Sequence, residues 1–214
     1  MKTRDRILQA SLQMFNEQGE RAVTTNHIAA RLDMSPGNLY YHFRNKQQII
    51  AELFGLYEGQ VDAYLRVPEG RALTIEDKAH YLESIFAGLW EYRFLLRDLE
   101  HLLACDEALA QRYRIFSRRC VQSGKRIYQG LVDAGILCAT RTDPEMLAVN
   151  SWLLMTGWVS FLCTTILDSP DQPLTPELLK RGVYQVVAQE QGLLTEAARP
   201  AVEAMLKDYF APLS

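Results

Sequence analysis

Residues 34–49 read MSPGNLYYHFRNKQQI and place aromatic side chains directly beside cations. Two tyrosines, a histidine and a phenylalanine are followed at once by Arg44 and Lys46. Aromatic residues alone would suggest a protein core. Aromatic residues next to cations, at the start of a short helix, suggest a surface that meets an anionic and grooved partner.

The first residues of this segment have short side chains that let a helix end come close to a partner. Asn38 can both donate to and accept from the edge of a DNA base, and Pro36 can touch a thymine methyl group. Helix N-termini and small donors also suit phosphate oxygens. The candidate contact residues here are Ser35, Pro36, Gly37 and Asn38.

The aromatic residues that follow carry donors at the tip of a flat apolar body. Tyr40, Tyr41 and His42 therefore suit phosphate oxygens and the apolar edges of sugars. Leu39 and Phe43, four residues apart, belong to the core side of the same helix. The alternative is that the tyrosines are partly buried supports and His42 is an ordinary surface histidine.

Local capping signals predict the helices that hold this segment. Thr24 opens a helix over 25–32, Ser35 and Pro36 open one over 36–43, and Asn45 with Gln48 opens one over 46–67. Two short helices joined by about four residues form a helix-turn-helix pattern. Similar signals predict further helices over 3–18, 74–94, 95–105, 107–134, 144–167, 176–191 and 200–210, with a loop over 168–175.

Composition supports an all-α fold, because helix formers dominate the 214 residues and alternating β-branched runs are missing. Residues 1–46 hold seven Lys or Arg against four acidic residues, whereas the remainder holds sixteen against twenty-two. A small basic head on a larger acidic body fits a nucleic-acid contact confined to one end, although a charge run is usually a solvated face.

Several function classes find no support in the sequence. The four histidines are scattered singly, and no nucleophile, metal or phosphate-loop motif occurs, so we expect neither an enzyme nor a metal or other cofactor. The N-terminus carries charges and no signal-peptide core, which predicts a cytoplasmic protein. The four cysteines show no C-x-x-C pair, and we interpret them as buried, reduced thiols.

The stretch TTNHIAARLDMSPGNLYYHFRNK, preceded by an amphipathic helix, resembles the DNA-binding domain of TetR-family transcriptional regulators. The resemblance covers about residues 3–50. It rests on a Thr opening the first helix of the motif, an Ile-Ala pair inside it, a turn of small residues, the L-Y-Y-H-F ending and a Lys three residues beyond the Phe.

The resemblance implies two domains with different functions along the chain. Residues 1–46 would form a helix-turn-helix DNA-binding domain, and residues 47–214 a helical domain for effector binding and dimerisation. Tyr40, His42 and Lys46 match phosphate contacts, and Tyr41 matches a position that faces the groove. Thr25 matches a contact at the N-terminus of the second helix. The implied function is a ligand-responsive repressor that binds a palindromic operator in double-stranded DNA as a homodimer; activation, or a small-molecule-binding helical protein without DNA binding, remains an alternative.

Residues 146–167 contain no charge, which raises the question of a membrane span. Scattered polar residues and acidic flanks argue against a span, and a helix that is apolar nearly all round is buried against its own protein and a partner. With the stripe on 176–191, this segment predicts a four-helix dimer seam, as in the family's dimers. The predicted seam residues are Trp152, Met155, Val159, Leu162, Leu178, Leu179, Gly182, Val183 and Val186.

Aromatic residues of the larger domain could line an apolar pocket for a small-molecule effector. An aromatic set at helical spacing is more often plain core, so both interpretations stay open. The candidate effector residues are Trp90, Phe94, Tyr113, Phe116, Trp152 and Trp158. Arg112, Arg119 and Arg126, spaced by seven, could face an anionic effector or pair with acids of neighbouring helices.

Overall fold

The computed structural model describes residues 2–169 and 172–213, and its regular structure is helical. Within that part of the chain no strand forms, and Leu137 and Leu194 make an isolated antiparallel bridge. The all-α prediction is confirmed. The α-helices are α1 (Thr3–Gln18), α2 (Thr25–Arg31), α3 (Pro36–His42), α4 (Lys46–Tyr64), α5 (Ile75–Glu91), α6 (Arg93–Arg97), α7 (Leu99–Cys105), α8 (Glu107–Asp133), α9 (Pro144–Phe161), α10 (Pro176–Ala188) and α11 (Arg199–Lys207).

Two compact units share the chain. The first comprises residues 1–60 and 92–114, and the second comprises 61–91 and 115–214. The boundary predicted after residue 46 stays a prediction. Each unit contains part of α4 and part of α8, because both helices pass from one unit to the other without a break.

Helices α2 and α4 begin at side-chain caps, at the positions that the sequence predicts. Thr24 Oγ1 accepts from His27 N at the start of α2, and Asn45 Oδ1 accepts from Gln48 N at the start of α4. Gly19 ends α1 with a positive φ of 87°, a conformation that glycine adopts without strain. The largest fully buried side chains of the first unit are Ile7, Phe15, Ile28, Leu39, Phe43, Ile49, Leu53 and Phe94.

The second unit is organised around α10, which packs against α9, α5 and α11. Asp143 caps α9 and Thr175 caps α10, each followed by a proline in the first turn. Among the buried apolar residues are Leu131, Leu147, Val183, Val187 and Val202.

Several helices differ from the sequence prediction, and α5, α10 and α11 each end three residues earlier than predicted, at Glu91, Ala188 and Lys207. Helix α4 ends at Tyr64 rather than near residue 67, and the predicted helix over 95–105 is divided between α6 and α7. The backbone leaves the helical region at Tyr92 and Asp98, which have ψ values of 30° and 14°. Helix α9 continues into a π-helical turn, Leu162–Ile166. The predicted loop over 168–175 includes residues 170 and 171, which lie outside the described residues.

The expectation of four buried cysteines is wrong for three of them. Cys120 is the buried one of the four. Cys105 and Cys163 are exposed and Cys138 is partly exposed, because these three lie at or beyond the ends of helices rather than on a core face.

Gly182 lets α10 approach α9 closely. A Cβ atom at this position would lie 2.7 Å from Trp158 Cδ1 and 2.8 Å from Cγ. The indole cannot simply step aside, because it is buried and its Nε1 donates to the Leu178 carbonyl at 3.0 Å. We expect Gly182→Ala to lower the free energy of unfolding by about 1–3 kcal/mol, measured by urea titration of tryptophan fluorescence.

Gly59 in α4 supplies the matched control. A Cβ atom there would meet no atom within 4 Å. Gly59→Ala should therefore raise the free energy of unfolding by about 0.5–1 kcal/mol, as expected for glycine replaced inside a helix. Equal effects of the two substitutions would contradict a close packing role for Gly182.

Candidate DNA-binding surface

Helices α2 and α3 form a helix-turn-helix in the first unit. The turn between them includes Asp33, which has a positive φ of 53°. Leu39 and Phe43 are completely buried, so one side of α3 is held by the core. The other side faces outward, as predicted.

The four residues at the start of α3 are all exposed: Ser35, Pro36, Gly37 and Asn38. Ser35 Oγ accepts from Asn38 N at 3.2 Å, which leaves the Asn38 side chain outside the capping interaction. A Cβ atom at Gly37 would meet nothing nearer than Ser35 Oγ at 4.0 Å. The protein's own packing therefore gives no steric reason for a glycine here.

The aromatic residues of α3 differ in their surroundings. Tyr41 is 85% exposed and Tyr40 is 47% exposed. The Tyr40 hydroxyl lies 3.1 Å from Thr25 Oγ1, so these two candidate residues form a hydrogen-bonded pair across α2 and α3. The Tyr41 ring packs edge-on against His42, with 5.2 Å between ring centroids.

Lys46 forms hydrogen bonds and an ion pair within the protein. Its ammonium donates to the carbonyls of Glu20 and Val23, each at 3.0 Å, and lies 2.6 Å from Glu20 Oε1. The ammonium has three protons and three acceptors, so it ties the start of α4 to the turn before α2. The phosphate contact implied for Lys46 stays a prediction, and it would require the ammonium to exchange one of these partners.

Arg4 is a structural contributor that sequence reasoning missed. Its guanidinium forms a two-point ion pair with Glu52 on α4 and donates to the His42 carbonyl at 2.7 Å. It also lies 4.2 Å from the centroid of the Phe43 ring. Arg4 thus joins α1, α4 and the end of α3. Arg4 and Glu52 are 48 residues apart, so no local spacing could have predicted the pair.

Two family models match the chain. The model described as "Bacterial regulatory proteins, tetR family" matches residues 7–53, and the model described as "Bacterial transcriptional repressor" matches residues 56–202. The chain belongs to the TetR family. It is therefore a DNA-binding transcriptional repressor and not an enzyme.

Known TetR-family proteins resemble this chain to different degrees. A TetR-family transcriptional regulator from Marinobacter aquaeolei VT8, known from its crystal structure, is 49% identical, with a TM-score of 0.89 over 99% of this chain and 100% of that chain. The regulator AcrR of Shigella flexneri is 25% identical over 79% of this chain and 80% of that protein. The regulator QacR of Staphylococcus aureus is 29% identical, but the match spans 46% of this chain and 52% of that protein.

The six aromatic residues predicted for a TetR-family effector pocket fall in both units. Phe94 and Tyr113 belong to the first unit, and the other four belong to the second. Phe94 and Phe116 are completely buried. Phe94 packs on Phe15 at 5.2 Å between centroids, and Phe116 packs on Trp152 at 6.1 Å. The effector role of all six stays a prediction: Trp90, Phe94, Tyr113, Phe116, Trp152 and Trp158.

Most residues predicted for the dimer seam are packed inside the protomer. The buried ones are Val159, Leu162, Leu179, Gly182, Val183 and Val186, whereas Trp152, Met155 and Leu178 are partly exposed. Helix α9 is apolar all round, so its sequence could not distinguish the face that meets α10 from the face that is open. These six residues are covered within a single protomer, and the seam role of all nine residues stays a prediction.

The arginines spaced by seven on α8 have partners that are mostly acidic. Arg112 lies 2.7 Å from Glu58 in the first unit, and Arg119 lies 2.9 Å from Asp62 in the second. Arg126 donates to Ser123 Oγ at 2.9 Å. This arrangement favours paired surface charges over a site for an anionic effector.

Proposed function

We propose that this TetR-family repressor binds a palindromic operator as a cytoplasmic homodimer and is released from it by a small-molecule effector. The observation that carries the proposal is the outward face of α3. Tyr41 is 85% exposed on a helix whose opposite side, Leu39 and Phe43, is completely buried. A large exposed aromatic residue held on a fixed helix is suited to a partner surface.

The size and chemistry of this face fit the major groove of DNA. The groove is wide enough to admit an α-helix, and its base edges offer both donors and acceptors. Asn38 can satisfy both kinds of group. Gly37 allows close approach of the helix backbone, and the interior of the protein offers no other reason for that glycine. Thr25 and Tyr40, which bond to each other, lie beside this face as candidates for phosphate contacts.

An exposed apolar stripe on α9 supports the homodimer. Met146, Val149, Leu153 and Phe161 are 49%, 40%, 63% and 38% exposed, and they recur at helical spacing on one side. Gly157, also exposed, lies within the same stripe. The segment Pro144–Ile166 is long and apolar enough to cross a membrane. However, the other face of α9 packs against α10, and the chain belongs to a family of DNA-binding proteins. We therefore assign the open stripe to a second copy of the chain.

Dimerisation gives the DNA contact its strength and its control. The seven residues of α3 can make few base contacts. Affinity therefore comes from two DNA-binding domains, one from each protomer, on half-sites about 34–36 Å apart or separated by a larger number of helical turns. An effector that favours the wrong spacing between the heads shifts the population away from DNA. Within the second unit, the partly exposed aromatic residues Trp90 and Trp152 are candidate contacts for an apolar effector.

The proposal is tested by selecting bound sequences from random duplex DNA with the purified protein and then measuring the mass of the complex by sedimentation. We expect a palindrome and a complex that contains two protomers. Binding should weaken steeply with salt, because several phosphates are contacted at once. A folded protein that enriches no sequence, or that binds as a single protomer, would contradict the proposal.

Tyr41→Ala should relax base preference more than it weakens DNA binding overall. The loss of one groove-facing side chain is expected to reduce discrimination against a mismatched operator by about 10-fold. Fluorescence anisotropy with the selected operator and a set of single-mismatch duplexes measures this ratio. Phe210→Ala is the matched control, because Phe210 is a 58% exposed aromatic residue of the second unit. A Tyr41 variant with unchanged discrimination would remove Tyr41 from the reading surface.

A further inference from the structure

A small cavity in the first unit has a buried carboxylate with one oxygen that lacks a partner. Glu20 is 3% exposed, and its Oε1 is paired with Lys46 at 2.6 Å. Its Oε2 is buried and forms no hydrogen bond with the described residues. His101 Nε2 lies 3.9 Å from this oxygen, beyond hydrogen-bonding distance. A buried carboxylate oxygen without a donor is unfavourable, so a missing donor is expected there.

The cavity has room for a small molecule and a mixed lining that suits one. Its volume is about 120 Å³, which corresponds to roughly four water molecules or four to five non-hydrogen atoms. Glu20, Lys46 and His101 supply the polar side of the wall, and Ile50, Leu102 and Leu109 supply the apolar side. A ligand with one polar end and a short alkyl tail matches both sides.

The charges around the cavity favour a monovalent cation. The cavity lining includes two carboxylates, of Glu20 and Asp106, and one ammonium, of Lys46, so acidic groups outnumber the ammonium by one. Among residues 2–169 and 172–213 no group of three or more His, Cys, Asp or Glu side chains is arranged to hold a metal ion. A positively charged N–H donor would satisfy Glu20 Oε2 and match the excess of acidic groups.

We propose that this cavity binds a small primary ammonium ion, with its N–H groups directed at Glu20 Oε2 and its alkyl tail against Ile50, Leu102 and Leu109. The site is separate from the aromatic residues considered for the effector, and it does not depend on the proposed operator or dimer. The occupant shares Glu20 with Lys46, which ties α4 to the turn before α2. One carboxylate therefore connects this site to the DNA-binding helices.

The experiment is an NMR titration of the full-length protein with n-propylammonium chloride at constant ionic strength. It is run at pH 8, where imidazole groups are generally neutral and cannot supply the missing charge. We expect saturable shifts of the Ile50, Leu102 and Leu109 methyl signals, with a dissociation constant of roughly 0.1–10 mM for so small a ligand. 1-Propanol, which lacks the charge, and tetramethylammonium, which lacks N–H donors, should produce no saturable shift.

Variants separate the site from general effects of the salt. Glu20→Gln should weaken n-propylammonium binding at least about 10-fold, since it removes one unit of charge from the site. Glu17→Gln, which changes an exposed carboxylate on α1 three residues before Glu20, should not alter it. If Glu20→Gln fails to fold without its pair to Lys46, Leu102→Phe is tested instead. This variant makes the cavity smaller and keeps the pair, so it should also weaken n-propylammonium binding. An equal response to 1-propanol, no saturation, or unchanged binding in the folded variants overturns the proposal.

Discussion

Leu153→Arg should convert the protein from a dimer to a monomer and lower its affinity for the operator by about 100-fold or more. Leu153 is 63% exposed in the middle of the apolar stripe on α9. An arginine there places an unpaired charge from each protomer in the proposed interface. Two linked heads bind DNA far more tightly than either alone, so loss of the dimer removes that gain. Sedimentation equilibrium and fluorescence anisotropy with the selected duplex measure the two effects.

Ile115→Arg is the matched control for this result. Ile115 is also 63% exposed, but it lies on α8 among exposed polar residues, including Gln111, Arg114 and Arg118. The same substitution there should leave both the mass and the operator affinity unchanged. If both variants become monomeric, or if Leu153→Arg remains a dimer with full affinity, the stripe on α9 is not the seam.

Glu190→Leu should lower the free energy of unfolding by about 3–5 kcal/mol, because it leaves the buried Lys78 ammonium without its counter-ion. Lys78 and Glu190 are 4% and 0% exposed, and they pair across 112 residues at 2.5 Å. Glu190 Oε1 also accepts from the Tyr128 hydroxyl at 2.8 Å. Burial raises the pKa of Tyr128 well above its usual value, and the Glu190 charge raises it further. The midpoint temperature should fall by roughly 10 °C, given about 2–4 °C per kcal/mol in a chain of this length.

Two further variants identify the cause of that loss. Glu203→Leu makes the same change at an exposed glutamate on α11 and should alter the midpoint temperature little. The double variant Lys78→Met/Glu190→Leu removes both charges and should recover most of the lost stability. Thermal unfolding is followed at one fixed protein concentration, because stability of a dimer depends on concentration. If the Glu190→Leu variant is as stable as the unmodified protein, the pair between Lys78 and Glu190 contributes nothing to stability.

The helix starts were predictable from the sequence because capping is a local interaction. Ser35 bonds to Asn38 N three residues on, and Thr175 bonds to Leu178 N in the same way. The exposed side of α3 was predictable for a similar reason, since Leu39 and Phe43 mark the buried side by their spacing.

What the sequence could not predict depends on residues that are distant along the chain. Lys46 pairs with Glu20, 26 residues earlier, and this pair links the start of α4 to the turn before α2. The pairs of Arg4 with Glu52 and of Lys78 with Glu190 are further examples. On α9 the difficulty is different: with apolar residues on every side, only the position of α10 decides which face is buried, and that position is a tertiary property.

The left-handed backbone at Asp33 limits how the turn before α3 can change during evolution. Few side chains adopt a positive φ at little cost, and aspartate, asparagine and glycine are the main ones. A β-branched residue at position 33 would strain the turn and tilt α3, whatever its effect on DNA contacts. The outward residues of α3 carry no such restriction, because they are exposed. On the proposed role of α3, operator preference can therefore change by substitution of these residues while the turn before α3 stays nearly fixed.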